Sequence, residues 1–167
     1  MFESVALERG YYEDIYDVLE LYRVCGLNRS FGHSRATSQE YPSFETVEFD
    51  LDQNGLYVIR DEDAIVAAVS IITQDELDEE TVSWTRVLST CVMARLAVHP
   101  RCQNSGIGTR IVETLCQNAR DMGCRHMQVM VPTDCPKALK LYQNLAFISR
   151  GIRRLHGLSF LLMEKML

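Results

Sequence analysis

The stretch Leu96-Ala97-Val98-His99-Pro100-Arg101-Cys102-Gln103-Asn104-Ser105-Gly106-Ile107-Gly108-Thr109 decides the reading of this chain. It passes from an apolar run through a polar turn into an amphipathic segment, the pattern of strand, turn and helix. Gly106 and Gly108 fall where the helix begins. A helix N-terminus leaves its first amides without partners and carries a partial positive charge, so the turn is an anion cradle suited to phosphate. A Cβ at these positions would hold a pyrophosphate off the amides. Two other phosphate loops fit poorly. Ile111 stands where the third glycine of G-x-G-x-x-G would be, and no acidic residue follows about 20 positions on in a strand, which weakens a dinucleotide site. No G-K-[ST] follows, which excludes a P-loop. A plain glycine-containing strand–helix turn is the other reading.

Working outward, Gly106–Met122 carries Ile107, Ile111, Val112, Leu115, Ala119 and Met122 on one helical face, with Gly123 as a stop. His126–Val131 reads as a strand. Thr133 or Asp134 is placed to cap a helix starting near Pro136, which presents Ala138, Leu141, Tyr142 and Leu145. Phe147–Arg154 and Leu158–Met166 read as two closing strands. On the N-terminal side, Phe2–Leu7 suits a first strand, and Tyr11–Cys25 has helical spacing with Gly26 at its C-cap. Residues 28–54 are polar and irregular, with a short helix expected around Ser43–Phe49. Leu56–Arg60 and Ile65–Ile72 are β-rich runs joined by Asp61-Glu62-Asp63 as a hairpin. Gln74–Glu80 is an acidic loop, and Val87–Val98 is a second apolar stretch ended by Pro100. The predicted fold class is α/β (α+β), with a mixed, mostly antiparallel central sheet of six to seven strands and helices on both faces. The whole chain, residues 1–167, is expected to form one domain.

The composition narrows the function classes. The 167 residues include 23 acids and 17 Lys/Arg, a net charge of −6. Residues 1–80 hold 19 acids and 5 Lys/Arg, and residues 81–167 hold 4 and 12, so the halves carry −14 and +8. A hydrophobic content of 47% suits a globular protein. A pI near 5.2 argues against general nucleic-acid binding. The N-terminus lacks a basic region followed by an apolar run, and the longest apolar run, Ala64–Ile72, is too short to span a bilayer. These features point to a soluble, cytoplasmic protein with no membrane partner. Cys25, Cys91, Cys102, Cys116, Cys124 and Cys135 form no C-x-x-C pair and show no zinc spacing, so free thiols, several buried, are expected, with no metal.

The quoted stretch resembles the GNAT superfamily of acyl-CoA-dependent N-acetyltransferases. Leu96-Ala97-Val98-His99-Pro100 and Gln103-x-x-Gly106-x-Gly108 match its phrase L-x-V-x-P followed by Q/R-x-x-G-x-G/A. Ala138-Leu139-Lys140-Leu141-Tyr142-Gln143-Asn144-Leu145-Ala146-Phe147 matches its A-x-x-L-Y-x-x-x-G-F, with Ala146 in place of the usual glycine. The resemblance is specific over about residues 87–167; before that, only the order of elements agrees. It implies acetyl-CoA as cosubstrate. The pyrophosphate would lie on the amides of Gln103, Asn104, Ser105, Gly106, Ile107 and Gly108, with Thr109. The pantetheine arm would pair along Leu96, Ala97 and Val98. Asp134 and Lys137, at the start of the next helix, are implied as further cofactor contacts.

Tyr142 would then protonate the departing thiolate. A phenol with a pKa near 10 keeps its proton at neutral pH, although its helical position equally suits a core aromatic. The general base is not readable. Cys91-Val92-Met93-Ala94-Arg95 lacks the strand carboxylate of some relatives, and Glu79, Glu80, His33 or His99 acting through water are the candidates. The resemblance implies a small-molecule or peptide amine as acceptor, with a backbone N–H near Leu96–Ala97 stabilising the oxyanion. The acidic N-terminal half suggests a cationic amine, or simply a solvated acidic face. Cys102 and Cys135 fall near the expected cleft without a His–carboxylate pair to make an acyl-enzyme. A non-catalytic acyl-CoA-binding module, an enzyme acting on protein N-termini or with a longer acyl-CoA, and a plain interaction domain are the competing readings. Dimers are common among similar proteins.

Overall fold

A computed structural model describes residues 6–27, 41–72, 89–155 and 157–167. The elements in chain order are β1 (Glu8–Arg9), a 3₁₀ turn (Tyr12–Asp14), α1 (Ile15–Val24), α2 (Phe44–Asp52), β2 (Leu56–Asp61), β3 (Ala64–Ile72), β4 (Thr90–Val98), a second 3₁₀ turn (Pro100–Cys102), α3 (Ile107–Asp121), β5 (His126–Pro132), α4 (Pro136–Asn144), β6 (Ile148–Leu155) and β7 (Leu158–Met166). The seven strands lie in one sheet in the order β1-β2-β3-β4-β5-β7-β6. Every neighbouring pair is antiparallel except β4 and β5. The expected mixed, mostly antiparallel sheet is therefore present.

Local chemistry explains most boundaries. The hairpin turns at Glu62-Asp63, with Glu62 at φ 56°. Helix α2 begins at Ser43, whose hydroxyl accepts from the Thr46 amide at 3.3 Å while Thr46 Oγ1 accepts from the Ser43 amide at 3.1 Å. This reciprocal cap fixes the helix start. The expected Tyr11–Cys25 helix is divided: Asp14 accepts from the Tyr11 amide at 2.7 Å and closes a 3₁₀ turn ahead of α1. The first strand sits later than predicted, at Glu8–Arg9, paired with Tyr57 and Val58. Ala6 and Leu7 are not in a strand, and residues 2–5, the Gln74–Glu80 loop, His33 and Glu40 lie outside the described residues.

Two cores lie on opposite faces of the sheet. One gathers Ile111, Leu115 and Ala119 of α3 and Tyr142 of α4 against Met93, Met127 and Val129. The other gathers Ile15, Val18 and Tyr22 of α1 and Val47 and Leu51 of α2 against Val58, Ile65 and Ala68. Gly55 lets α2 seat tightly: its amide donates to the Asp50 carbonyl at 2.8 Å and its carbonyl accepts from Ile71 at 2.9 Å. A Cβ on Gly55 would stand 2.1 Å from the Ile71 carbonyl oxygen.

One expectation is corrected. Cys91 and Cys124 are joined by a disulfide with a Cα–Cα distance of 6.3 Å. The partners are 33 residues apart, and the chain brings β4 beside the start of β5 to place them together. Cys25, Cys102, Cys116 and Cys135 are free thiols.

Candidate active site

Strands β4 and β5 pair only from Thr90↔His126 to Met93↔Val129 and then part. A bulge marks the parting. Ala94 opposes Ser70 and Ala97 opposes Ala68, so Arg95 and Leu96 face Val69 alone, with Arg95 at φ 56°. Two residues against one is the bulge pattern, and it bends the strand. The wedge between the strands opens into a cleft of about 440 Å³.

Most of the residues expected from sequence border this cleft: Leu96, Ala97, Val98, Gln103, Asn104, Gly106, Gly108, Thr109 and Lys137. Ser105, Ile107, Asp134 and Tyr142 do not. Ile107 is 2% exposed and faces the core, and Ser105 turns its hydroxyl back to the Cys102 carbonyl. Asp134 is exposed and does not cap α4. The N-cap is Cys135, while Thr133 Oγ1 donates to the Ser159 carbonyl at 3.2 Å. Sequence reasoning missed Cys25 and Leu27, which approach from the end of α1, and named Arg95 only as the end of a run without a carboxylate. No local signal ties Cys25 to a strand 73 residues away.

The Gln103 amide, expected among the pyrophosphate donors, is instead bound to the Pro100 carbonyl at 3.3 Å and closes the 3₁₀ turn. Asn104 at φ 59° and Gly106 at φ 83° turn the chain into α3. The amides of Asn104 through Thr109 have no hydrogen-bond partner among the described residues. The first amides of a helix have no intrahelical partner, so this row presents donors to a ligand. At Gly106 the positive φ demands glycine, since a Cβ there would meet nothing within 4 Å. At Gly108 a Cβ would fill the space toward Leu141 Cδ2, at 3.6 Å. Arg95 and Lys137 are the charged residues on the cleft border, the Arg95 guanidinium being turned into a buried ion pair with Asp50, and the described lining holds no carboxylate. Of the acids in the N-terminal half that suggested a cationic acceptor, Glu45, Glu48 and Asp52 do not border the cleft, and Asp50 is paired with Arg95.

His99 donates its amide to the Val66 carbonyl on β3 at 2.8 Å. Strand alternation turns the Val98 N–H and carbonyl the other way, toward the cleft. The Val98 carbonyl accepts from Gln103 Nε2 at 2.9 Å and Cys25 Sγ at 3.2 Å. Burial pushes the Cys25 thiol up to about 11, so it is a proton donor there. His99, a candidate base, has Nδ1 accepting from the Arg101 amide at 3.2 Å, which caps the 3₁₀ turn, and it does not border the cleft. Glu79, Glu80 and His33 lie outside the described residues.

Tyr142 is 4% exposed. Its hydroxyl donates to Met93 Sδ at 3.8 Å, at the last residue β4 pairs with β5. Burial raises its pKa above the ordinary phenol value, so it holds its proton. The helix end fixes its ring. The Phe147 amide donates to the Tyr142 carbonyl at 3.0 Å and the Ala146 amide to the Gln143 carbonyl at 3.1 Å, with Ala146 at φ 65°. This is a Schellman motif, and its usual apolar contact is the Tyr142–Phe147 edge-to-face pair at 5.2 Å.

Behind the cleft lies a buried ion pair. Asp50 Oδ2 accepts from Arg95 Nε at 2.9 Å and from Ser70 Oγ at 2.6 Å, and Asp50 Oδ1 accepts from the other end of the guanidinium. Arg95 also donates to the Tyr41 hydroxyl at 2.8 Å. The Tyr22 hydroxyl is buried beside this group without a well-formed hydrogen bond among the described residues.

Comparisons with known proteins agree with this geometry. The sequence profile described as Acetyltransferase (GNAT) family matches residues 12–147. No curated protein matches the chain. Among solved structures, Salmonella typhimurium yncA with its cofactor acetyl-CoA superposes with a TM-score of 0.73 at 15% identity, over 98% of this chain and 94% of that one. The PaiA N-acetyltransferase of Thermoplasma acidophilum in complex with coenzyme A gives 0.72 at 13%, over 98% and 99%. The ribosomal-protein-S18-alanine N-acetyltransferase of Escherichia coli gives 0.72 at 15%, over 97% and 93%. At such identities the likeness is one of fold.

Proposed function

The chain belongs to the GNAT acetyltransferase family, and on that premise we propose that it transfers an acetyl group from acetyl-CoA to a primary amine of a small molecule or peptide, with residues 1–167 working as one domain. The observation that carries the proposal is the row of partnerless amides from Asn104 to Thr109 at the mouth of the β4–β5 cleft. They fit a pyrophosphate, and so does a border that carries Lys137 and is free of carboxylates among the described residues. Solved proteins of the same fold hold acetyl-CoA or coenzyme A. Among the described residues no helix is long and apolar enough to cross a membrane.

Acetyl-CoA supplies an activated acyl carbonyl, and the chain does the rest by position and charge. The Asn104–Thr109 amides and Lys137 anchor the phosphates. The cleft-facing Val98 N–H and the neighbouring edge of β4 hold the extended arm as an added strand would be held. A β4 amide near Leu96 takes the oxyanion charge as the amine attacks. As the C–S bond breaks, Tyr142 gives its proton to the leaving sulfur, and the proton lost by the acylated amine passes to solvent, from which the phenolate is reprotonated. Its hydroxyl sits where the strands part and is bound only to a thioether, a weak acceptor, so little is lost when it turns. Holding both reactants in one cleft supplies much of the rate.

Thermal denaturation with and without CoA tests the reading. Saturation at about 100 times Kd adds about 2.7 kcal/mol, or about 5–10 °C for a chain of this size. Tyr142→Phe should leave that shift in place and lower kcat in an amine panel by about 10²–10⁴-fold. No shift in the wild type refutes the proposal. A shift without turnover on any amine reassigns the chain to acyl-CoA binding alone.

A further inference from the structure

The buried pair Asp50–Arg95 lies off the path of the chemistry, yet it joins the element that opens the cleft. In a regular strand, residues two or four apart share a face. On β4, Cys91 and Met93 pack into the core under α3 and α4, whereas Ala97 packs into the core under α1 and α2. The strand has therefore changed faces between Met93 and Ala97, and Arg95 at φ 56° is where it does so. That conformation is unfavourable for a residue with a Cβ. Something must hold it.

Three elements converge to do so. Asp50 of α2 grips both ends of the guanidinium, and Ser70 of β3, opposite Ala94, binds the same carboxylate. Tyr41 takes a third guanidinium N–H. Gly55 seats α2 against β3 and so fixes the height of Asp50. Asp50 and Arg95 are 1% and 7% exposed. A buried ion pair is a poor source of net stability but a good device for fixing one register among several.

We propose that the Asp50–Arg95 pair is the strut that keeps β4 in its bulged register and apart from β5, making Asp50 a positioning residue for the acyl-CoA site. The proposal rests on the CoA reading above only for its functional readout. Without the strut, β4 has no reason to leave regular alternation, and the Leu96–Val98 edge loses its fixed presentation to the cleft.

The test compares Asp50→Asn with Leu162→Ala, a core truncation on β7, two strands away from β4. CoA titration calorimetry and hydrogen exchange are run on both, with thermal melts confirming that each is folded. Asp50→Asn should weaken CoA binding by about tenfold or more, as expected for a displaced binding edge, whereas Leu162→Ala should bind as wild type does. The double variant Asp50→Asn/Arg95→Gly should recover most of the lost affinity, because glycine takes a positive φ without a strut. Asp50→Asn/Arg95→Ala should not. Equal affinities for Asp50→Asn and Leu162→Ala, or equal recovery by the Gly and Ala double variants, overturn the proposal. If the wild type itself fails to bind CoA, the functional reading falls and hydrogen exchange decides the strut. Faster exchange at Leu96–Val98 in Asp50→Asn than in Leu162→Ala sustains it, and equal exchange removes it. Should Asp50→Asn not fold, the two double variants, which bury no unpaired charge, make the same comparison.

Discussion

Ala146 is held in a conformation that its Cβ opposes, and Ala146→Gly should make the protein more stable. The residue closes the Schellman motif after α4 at φ 65°, one position before Phe147. Left-handed backbone costs a Cβ-bearing residue about 1–2 kcal/mol, which glycine does not incur. Against this, glycine gives the unfolded chain extra freedom worth about 0.4–1 kcal/mol. Ala146 is exposed, so its methyl gives up no core contact on removal. The net gain is about 0.5–1 kcal/mol, which for a chain of this length raises Tm by about 1–4 °C. Scanning calorimetry on purified protein at one pH resolves that change. Ala146→Val serves as the internal control, since a β-branched residue at the same φ should lower Tm. Glycine lowering Tm, or valine leaving it unchanged, would show that the position carries no strain and refute the reasoning.

Two further outcomes follow from the fold. Gly55→Ala drives a Cβ to 2.1 Å from a backbone oxygen of β3, so α2 must lift; overpacking of this kind costs about 1–3 kcal/mol, and urea unfolding should show a lowered midpoint with the slope retained. Asp14 is partly buried, which works against its ionisation, but Arg60 at 2.7–2.9 Å and the Tyr11 amide hold its pKa below the usual carboxylate value. A lowered folded pKa contributes stability above the unfolded value of about 3.9 that is lost as pH falls through the folded one. Asp14→Asn should therefore trail the wild type in Tm at pH 6, and the gap should close as pH falls through the lowered folded value. A gap that stays constant across that range removes Arg60 and Tyr11 as the source of the stabilisation.

What the sequence makes legible is what is local. The hairpin around Glu62 is readable because β-rich runs flank polar turn residues, and the cradle is readable because Gly106 and Gly108 stand at a helix start. The L-Y-x-x-x-A-F segment is readable as a helix end, and its one departure, Ala146, falls where the backbone turns left-handed. What stays hidden is held by contacts across long separations. Asp50 and Arg95 are 45 residues apart, and Asp50 reads from sequence as one more acid in an acidic half. Cys91 and Cys124 carry no paired motif, because tertiary proximity, not spacing, joins them. Asp134 looks like a cap by residue type, but Pro136 at the first helical position leaves the role to Cys135. Tyr142 shows the limit most plainly: its position in the helix is readable, whereas its burial against Met93, which sets its proton affinity, depends on a strand 49 residues away.

The wedge between β4 and β5 is closed at one end by covalent chemistry and opened at the other by backbone geometry. Cys91 is bonded to Cys124, and the Arg125 amide donates to the Ser89 carbonyl at 2.8 Å, so the two strands are riveted at the start of their four-pair stretch. Mechanically this is a pair of tongs with a fixed pivot. Force that spreads the tips above Met93 loads the Met93 and Val92 pairings first and is stopped at the disulfide. The same pivot limits how far the opening runs down the strands, and the bulge at Arg95 sets where it begins.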